Sequence, residues 1–349
     1  MKTHRWLTLA TVSATLTLAP AGVAVADKGT GQGGTQQGSG VQTEHKRDGQ
    51  TLESRITFSG SIKGSGGKSS GGLTAVGNWT PPACWYEPMS AEEFKKQTEA
   101  SYDLVVNDPD QPNYAKTATG QFRDIYKDGK YKNYNLDEAD EGNWFVAVQD
   151  ESRLDDPDAF TCSELPFWVK NGDTPNVKNA VTPEVLAELA YNRVQVPDTK
   201  VTLAPEDITK VNLPTWAWLD KATFKEVSVT AALNVNGLNI QATTTAKPVS
   251  LKLEPGTEDA ETYPASGVCK INDDDSVGEA YAKGKADETP PCGIKYLRSS
   301  GDGTYKLRAT ITWQITWTGT GNPDPKNLPN GTFGNTQDIT VQEIQSVNR

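Results

Sequence analysis

The segment from Tyr305 to Thr318 alternates apolar and polar side chains, and this pattern constrains the fold more than any other feature of the sequence. Lys306 and Arg308 begin its polar face, which continues with Thr and Gln. A period of two over such a length is typical of a β-strand with one buried face. The strand is therefore predicted to direct its apolar side chains into a core; these are Leu307, Ala309, Ile311, Trp313, Ile315 and Trp317.

The neighbouring segments of the C-terminal part also predict strands. Asn236-Gly237 stands between two imperfectly alternating segments and predicts a tight hairpin turn. Further apolar alternation around Leu251 and from Ile339 to Val341 indicates two more strands. Several short strands with turn signals and no helical period favour an antiparallel β-sandwich over residues 221–349.

Residues 79–200 predict a small, irregular α+β domain. Ser90-Ala91-Glu92-Glu93 is a capping box that begins a helix predicted to run to about Ala100. A second helix is predicted from Thr182 as N-cap and Pro183 as first helical residue. Residues 201–220 form a Pro-punctuated connection, in which Trp216 and Trp218 are expected to pack the two parts together.

The N-terminal residues indicate export. Residues 1–26 combine a basic start, an apolar stretch and an Ala-Val-Ala cleavage signal, which is the pattern of a secretory signal peptide. No later segment approaches the roughly 20 apolar residues of a spanning helix. The mature protein is therefore expected to be secreted without a membrane anchor. Residues 27–78 are rich in Gly and Ser and are predicted to be mostly disordered, with a weak strand signal at 52–58.

Charge and histidine content exclude several classes of function. The chain has 34 Lys and Arg against 45 Asp and Glu, a net charge of −11, which disfavours nucleic acid as a partner. Of the two histidines, His4 lies in the predicted signal peptide, so the mature chain retains only His45. Three-His zinc sites and His-assisted nucleophiles are thereby excluded. No cofactor and no catalytic residues are predicted.

Four cysteines remain in the mature chain, and an even number in an oxidising compartment predicts two disulfides. Three pairings are possible. The sequential one, Cys84–Cys162 and Cys269–Cys292, is favoured because each pair then lies within one predicted domain.

Two groups of residues are candidates for binding. Trp79, Trp85 and Tyr86 flank a Pro-Pro pair and are the aromatic side chains most expected to be exposed for stacking on a ligand. Asp273, Asp274 and Asp275 are weak candidates for Ca²⁺ ligands. Their spacing is not that of an EF-hand, and an ordinary acidic loop is the favoured interpretation.

A resemblance to a known group of proteins is carried by four segments, 211–219, 292–300, 303–313 and 341–349. Together with the entry segment 79–86, they resemble a family of secreted actinobacterial proteins whose C-terminal part is similar to PKD (polycystic kidney disease) Ig-like domains. The resemblance implies a PKD-like β-sandwich and an extracytoplasmic location. It implies no molecular activity.

The expected function is therefore binding rather than catalysis. The chain is expected to be a mainly β, secreted, non-catalytic protein whose partner is an extracellular protein or a cell-envelope glycan. The alternative is a secreted carbohydrate-active hydrolase that uses paired carboxylates within residues 130–160. The acidic residues available there are Asp137, Glu138, Asp140, Glu141, Asp150, Glu151, Asp155, Asp156 and Asp158.

Overall fold

A computed structural model describes residues 54–61, 70–219 and 225–344. The predicted signal peptide and His45 lie outside these ranges, as does most of the Gly/Ser-rich segment. Among the described residues, no helix has the length and apolar character that crossing a membrane requires.

The fold is mainly β, with seventeen strands and three α-helices in the described part of the chain. The helices are α1 (Ala91–Val106), α2 (Asn113–Lys127) and α3 (Pro183–Arg193). Short 3₁₀ helices cover Asn133–Glu138, Glu151–Arg153 and Pro157–Phe160. The strands are β1 (Thr57–Ser61), β2 (Ser70–Gly72), β3 (Thr74–Ala75), β4 (Cys84–Met89), β5 (Gly142–Gln149), β6 (Phe167–Lys170), β7 (Gln195–Pro197), β8 (Thr202–Ala204), β9 (Ile208–Lys210), β10 (Pro214–Trp218), β11 (Val227–Val235), β12 (Leu238–Glu254), β13 (Ala260–Tyr263), β14 (Val268–Lys270), β15 (Gly293–Tyr296), β16 (Tyr305–Gly319) and β17 (Asn322–Gln342).

A large sheet with the order β1-β11-β12-β16-β17-β3 dominates the structure, with antiparallel pairing along this path. The alternating segment of the sequence forms its strand β16, and Trp313 and Trp317 are buried as predicted. The predicted hairpin turn joins β11 to β12, where Asn236 and Gly237 both have positive φ, as a type I′ turn requires. β14 pairs with β12 in the antiparallel direction, and β9 pairs with β17 in parallel.

A second sheet has the order β13-β15-β10-β8. Two of its strands, β8 and β10, come from residues 201–220, so the segment predicted as a connection is part of the β architecture. One hydrophobic cluster contains Leu203, Ala217 and Ile294 from this sheet together with Leu251 and Ile311 from the large sheet. The two sheets therefore share a core.

Helix α3 belongs to the same core. Thr182 caps it, because its hydroxyl accepts a hydrogen bond from the Val185 N–H at 3.2 Å. Leu186 and Leu189 are buried in the main cluster, and the Thr244 hydroxyl of β12 donates to the Ala187 carbonyl at 2.7 Å. The helix predicted within residues 79–200 thus packs on the large sheet.

The remaining helices cover a three-stranded sheet with the order β4-β5-β6. Ser90 caps α1 as predicted, and α1 continues beyond Ala100 to Val106. Phe94, Tyr126 and Trp144 form a separate aromatic cluster beneath α1 and α2. Tyr126 is the fully buried residue of α2, and Phe122, one turn earlier, is partly buried against the same cluster.

Part of the segment predicted as disordered is paired with the sheets. β1 forms an edge of the large sheet, displaced from the predicted strand at 52–58, and β3 pairs with β17. Just before β1, the Ser54 hydroxyl and the Arg55 N–H donate to the buried Glu87 carboxylate at 2.6 and 2.8 Å. The segments of β1 and β3 form strands because the edges of the sheets carry unpaired backbone groups. A polar segment can form hydrogen bonds with such an edge even though it has no hydrophobic core of its own.

Candidate functional site

Both predicted disulfides are present. Cys84 and Cys162 have Cα atoms 6.0 Å apart, and those of Cys269 and Cys292 are 5.6 Å apart. The first links β4 to the end of a 3₁₀ helix. The second links β14, which pairs with β12 of the large sheet, to the residue that precedes β15 of the second sheet, and closes the loop between them.

The aromatic residues predicted to bind a ligand are mostly buried. Trp85 and Tyr86 lie on β4 with 4% and 2% exposure, so the prediction that they present an open stacking surface is wrong. The Trp85 indole N–H donates to Glu87, and the Tyr86 hydroxyl accepts from the Glu164 N–H. Trp79 is half-buried against the ring of Tyr191, at 5.0 Å between centroids. The adjacent prolines lead the chain into a strand and do not hold it at the surface.

Several of the carboxylates proposed for hydrolysis make structural contacts, as caps of 3₁₀ helices or in ion pairs. Asp150 caps a 3₁₀ helix and accepts hydrogen bonds from Ser152 and Asn192. Asp156 caps the next, and the Asp158 N–H and the Arg153 side chain lower its pKa, the opposite of what a general acid needs. Glu141 lies 3.5 Å from Lys170 in an exposed ion pair.

The carboxyl groups with raised pKa lie elsewhere. Burial raises the pKa of Glu87, whose oxygens accept from Ser54, Arg55 and Trp85 and are closed to solvent. Burial, together with repulsion from Glu184, raises the pKa of Glu188 on α3 to about 7. Glu87 lies on β4 and Glu188 on α3, so neither comes from residues 130–160.

Asp273, Asp274 and Asp275 lie in an exposed turn. Asp274 accepts hydrogen bonds from the N–H and hydroxyl of Ser276, and Asp275 has a positive φ of 65°. Across residues 54–61, 70–219 and 225–344, no group of three or more His, Cys, Asp or Glu side chains is arranged to hold a metal ion.

The outer face of the second sheet carries a different set of aromatic residues. Ala217 and Leu219 belong to the shared core, and because side chains alternate along a strand, Trp216 and Trp218 of β10 point to the opposite face. Neither tryptophan is a member of any hydrophobic cluster in the described chain. The expectation that they pack the two parts of the protein together is therefore wrong.

Polar side chains of β13 and β15 lie on the same face, opposite Trp216 and the start of β10. In the β13-β15 register, Glu261 is opposite Lys295 and Tyr263 is opposite Gly293, while Gly293 is in turn opposite Trp216. The Lys295 ammonium lies 2.5 Å from Glu261, which raises the pKa of the ammonium, with a smaller contribution from Tyr263. We call these residues, Trp216, Trp218, Tyr263, Glu261 and Lys295, the aromatic face.

The disulfide-closed loop covers one end of the aromatic face. The Tyr281 ring meets the Trp216 ring edge-on at 5.9 Å, and the Lys285 ammonium lies 5.4 Å from the same ring. Trp216 is only 1% exposed, and its indole N–H has no hydrogen-bond partner among the residues that the structure describes. Trp218, two residues along, is half-buried and remains accessible.

A polar groove of 470 Å³ lies along the edge of β17. It is lined by Asp198, Lys200, Asp207 and residues 335–338. Asn335 donates to Asp198, Lys306 pairs with Asp338, and Gln337 exchanges hydrogen bonds with both backbone groups of Val201. These contacts tie segment 198–201 to the sheet edge.

The sequence contained a usable signal for the aromatic face. Thr215-Trp216-Ala217-Trp218 alternates large aromatic with small residues, the pattern of a strand with aromatic side chains on one face. The residues that share this face lie on strands far away in the sequence, so local patterns could not predict the face as a whole. The chain matches no protein-family model, and searches of curated proteins and of solved structures likewise find no match.

Proposed function

We propose that the chain is a secreted, non-catalytic protein with a PKD-like, Ig-like β-sandwich that binds a cell-envelope glycan. The observation that carries this proposal is the aromatic face, in which Trp216 and Trp218 of β10 share one face of the second sheet with Lys295, Glu261 and Tyr263 of the neighbouring strands. The two disulfides and the antiparallel sheets support the extracellular part of the proposal.

The chemistry of the face suits a sugar. A pyranose ring has an apolar C–H surface and a rim of hydroxyl groups, so it binds best where a flat aromatic ring adjoins polar donors and acceptors. Trp218 and Trp216 are two residues apart on β10, a spacing of about 7 Å along a strand. Lys295 donates, Glu261 accepts and the Tyr263 hydroxyl can do both.

Sedimentation with insoluble polysaccharide tests the proposal. The secreted protein is mixed with purified bacterial cell-wall sacculi, and in parallel with chitin, and the bound fraction is measured in the pellet. We expect Trp218→Ala to weaken retention about tenfold, because the variant loses the aromatic surface against which the C–H face of a pyranose packs; tenfold corresponds to about 1.4 kcal/mol.

Tyr114→Ala is the matched control, since Tyr114 is an aromatic residue on α2 with 78% exposure and lies outside the aromatic face. It should leave retention unchanged. Equal retention of the Trp218→Ala variant and the unsubstituted protein would refute the assignment to this face. A protein that stays in the supernatant with both materials would refute glycan binding.

A further inference from the structure

We propose that residues 278–291 form a lid over Trp216, and that this lid must lift before a sugar ring can reach the buried indole. This inference deepens the proposed function, because it assigns Trp216 as a second, covered subsite of the aromatic face. The ligand it would take is a hydroxyl-bearing glycan in which one pyranose unit stacks on the ring face and a hydroxyl of the neighbouring unit, at the ring edge, accepts a hydrogen bond from the indole N–H.

The first argument is the unpartnered indole N–H. Trp216 is almost completely buried, and its Nε1 atom, like those of Trp168 and Trp313, has no acceptor within the described parts of the chain; the Trp216 ring is the one that lies against Tyr281 and Lys285 of the exposed loop. Buried donors are nearly always paired, because leaving one without an acceptor costs free energy. A sugar hydroxyl or ring oxygen placed against Trp216 would supply the acceptor that the closed loop does not.

The second argument is that the cover is thin. Two side chains of the loop, those of Tyr281 and Lys285, contact the Trp216 ring, and Tyr281 itself is 38% exposed. Residues 279–289 are exposed apart from the half-buried Lys285. Segments with few buried contacts and exposed backbone are the ones that open locally while the rest of a protein stays folded.

The third argument is that the loop is held at its ends and bonded mainly to itself. Before it, Val277 exchanges two backbone hydrogen bonds with Leu219. After it, Cys292 is fixed by its bridge to Cys269. Within it, the Lys285 N–H donates to Ala282 and the Glu288 N–H donates to Lys285. The segment can therefore move as a unit about two fixed points.

The geometry at the second fixed point places the lid directly above the sheet. Gly293 is opposite Trp216, and a Cβ atom at Gly293 would lie 2.7 Å from Pro290. The loop thus leaves the sheet through a close contact that only glycine permits. Lifting the lid would remove Pro290 from Gly293, which has no side chain to fill the position between Trp216 and Tyr263 in the register.

The double variant Tyr281→Ala/Lys285→Ala removes both contacts of the lid with Trp216 and tests the inference. Hydroxyl-radical labelling with peptide mapping, in the absence of glycan, should show Trp216 labelled several-fold faster than in the unsubstituted protein. Retention on cell-wall sacculi should rise severalfold, since the closed state no longer competes with the ligand. Tyr114→Ala/Lys96→Ala is the matched control. It replaces an exposed Tyr on α2 and an exposed Lys on α1 and should change neither measurement.

Each alternative outcome is decisive. Unchanged labelling of Trp216 would show that the loop does not act as its cover, and faster labelling without increased retention would show that the indole is not a subsite. Trp216→Phe keeps an aromatic ring but lacks the N–H, and in the lid-free background it should lose the gain in retention. Because the Trp218→Ala result does not depend on the lid, failure of this inference and failure of glycan binding are distinguishable.

Discussion

Glu188→Gln should make the protein more stable at alkaline pH and leave it unchanged at acid pH. Glu188 lies on α3, where burial is the main cause of its raised pKa and Glu184, one turn earlier, adds repulsion. Lys178 offsets part of this effect. Glutamine has nearly the same shape and carries no charge, so the substitution removes the cost of ionising a buried carboxyl and little else.

The size of the effect follows from the pKa. A value of about 7 in the folded protein against the usual 4.5 corresponds to about 3 kcal/mol, at about 1.36 kcal/mol per pH unit. Between pH 4.5 and 7 the folded state holds the proton more tightly than the unfolded chain. The free energy of unfolding therefore falls as the pH rises through this window, and the full loss is present above pH 7.

Urea unfolding at pH 4, 6 and 8 measures this difference. At pH 8 the Glu188→Gln variant should exceed the unsubstituted protein by about 3 kcal/mol or somewhat less, and at pH 4 the two should coincide. Glu258→Gln, at an exposed position, is the control and should follow the unsubstituted protein throughout. A stability difference that is the same at pH 4 and pH 8 would refute the reasoning.

Two further predictions concern the framework. Replacing both Cys84 and Cys162 by Ser should lower the free energy of unfolding by about 4.5 kcal/mol, because the bridge closes a loop with a sequence separation of 78; a loss under about 1 kcal/mol in chemical denaturation would contradict the loop-entropy argument. Thr244→Val should cost about 1–2 kcal/mol, since it removes the buried hydrogen bond from β12 to the Ala187 carbonyl, and an unchanged thermal midpoint would show that this bond does not hold α3 to the sheet.

Local patterns in the sequence predicted much of the framework. The alternation of β16, the Asn236-Gly237 turn and the caps at Ser90 and Thr182 depend on neighbouring residues alone, and all are present in the structure. The disulfide pairing was also predicted. β17 was largely missed, because Pro, Gly and Asn interrupt its alternation and its pairing depends on β16.

The candidate site was much less predictable. Whether an aromatic residue is buried depends on which distant segment covers it. Trp85 is covered through β5 and the Glu87 network, whereas Trp216 is covered by a loop some sixty residues further along the chain. Leu213 and Leu219 beside the tryptophans suggested a core, but only the sheet registers reveal that Trp216 and Trp218 point away from it.

The edge pairing of the first ordered segments sets a late step in the synthesis of this protein. Thr74 on β3 pairs with Thr332 of β17, which is 258 residues further along the chain. At about 5–20 residues per second, a ribosome needs about 13–50 s to make that interval. During this time β3 has no strand to pair with, although the partner of β1, β11, is made earlier, so completion of the large sheet cannot precede translation of nearly the whole polypeptide.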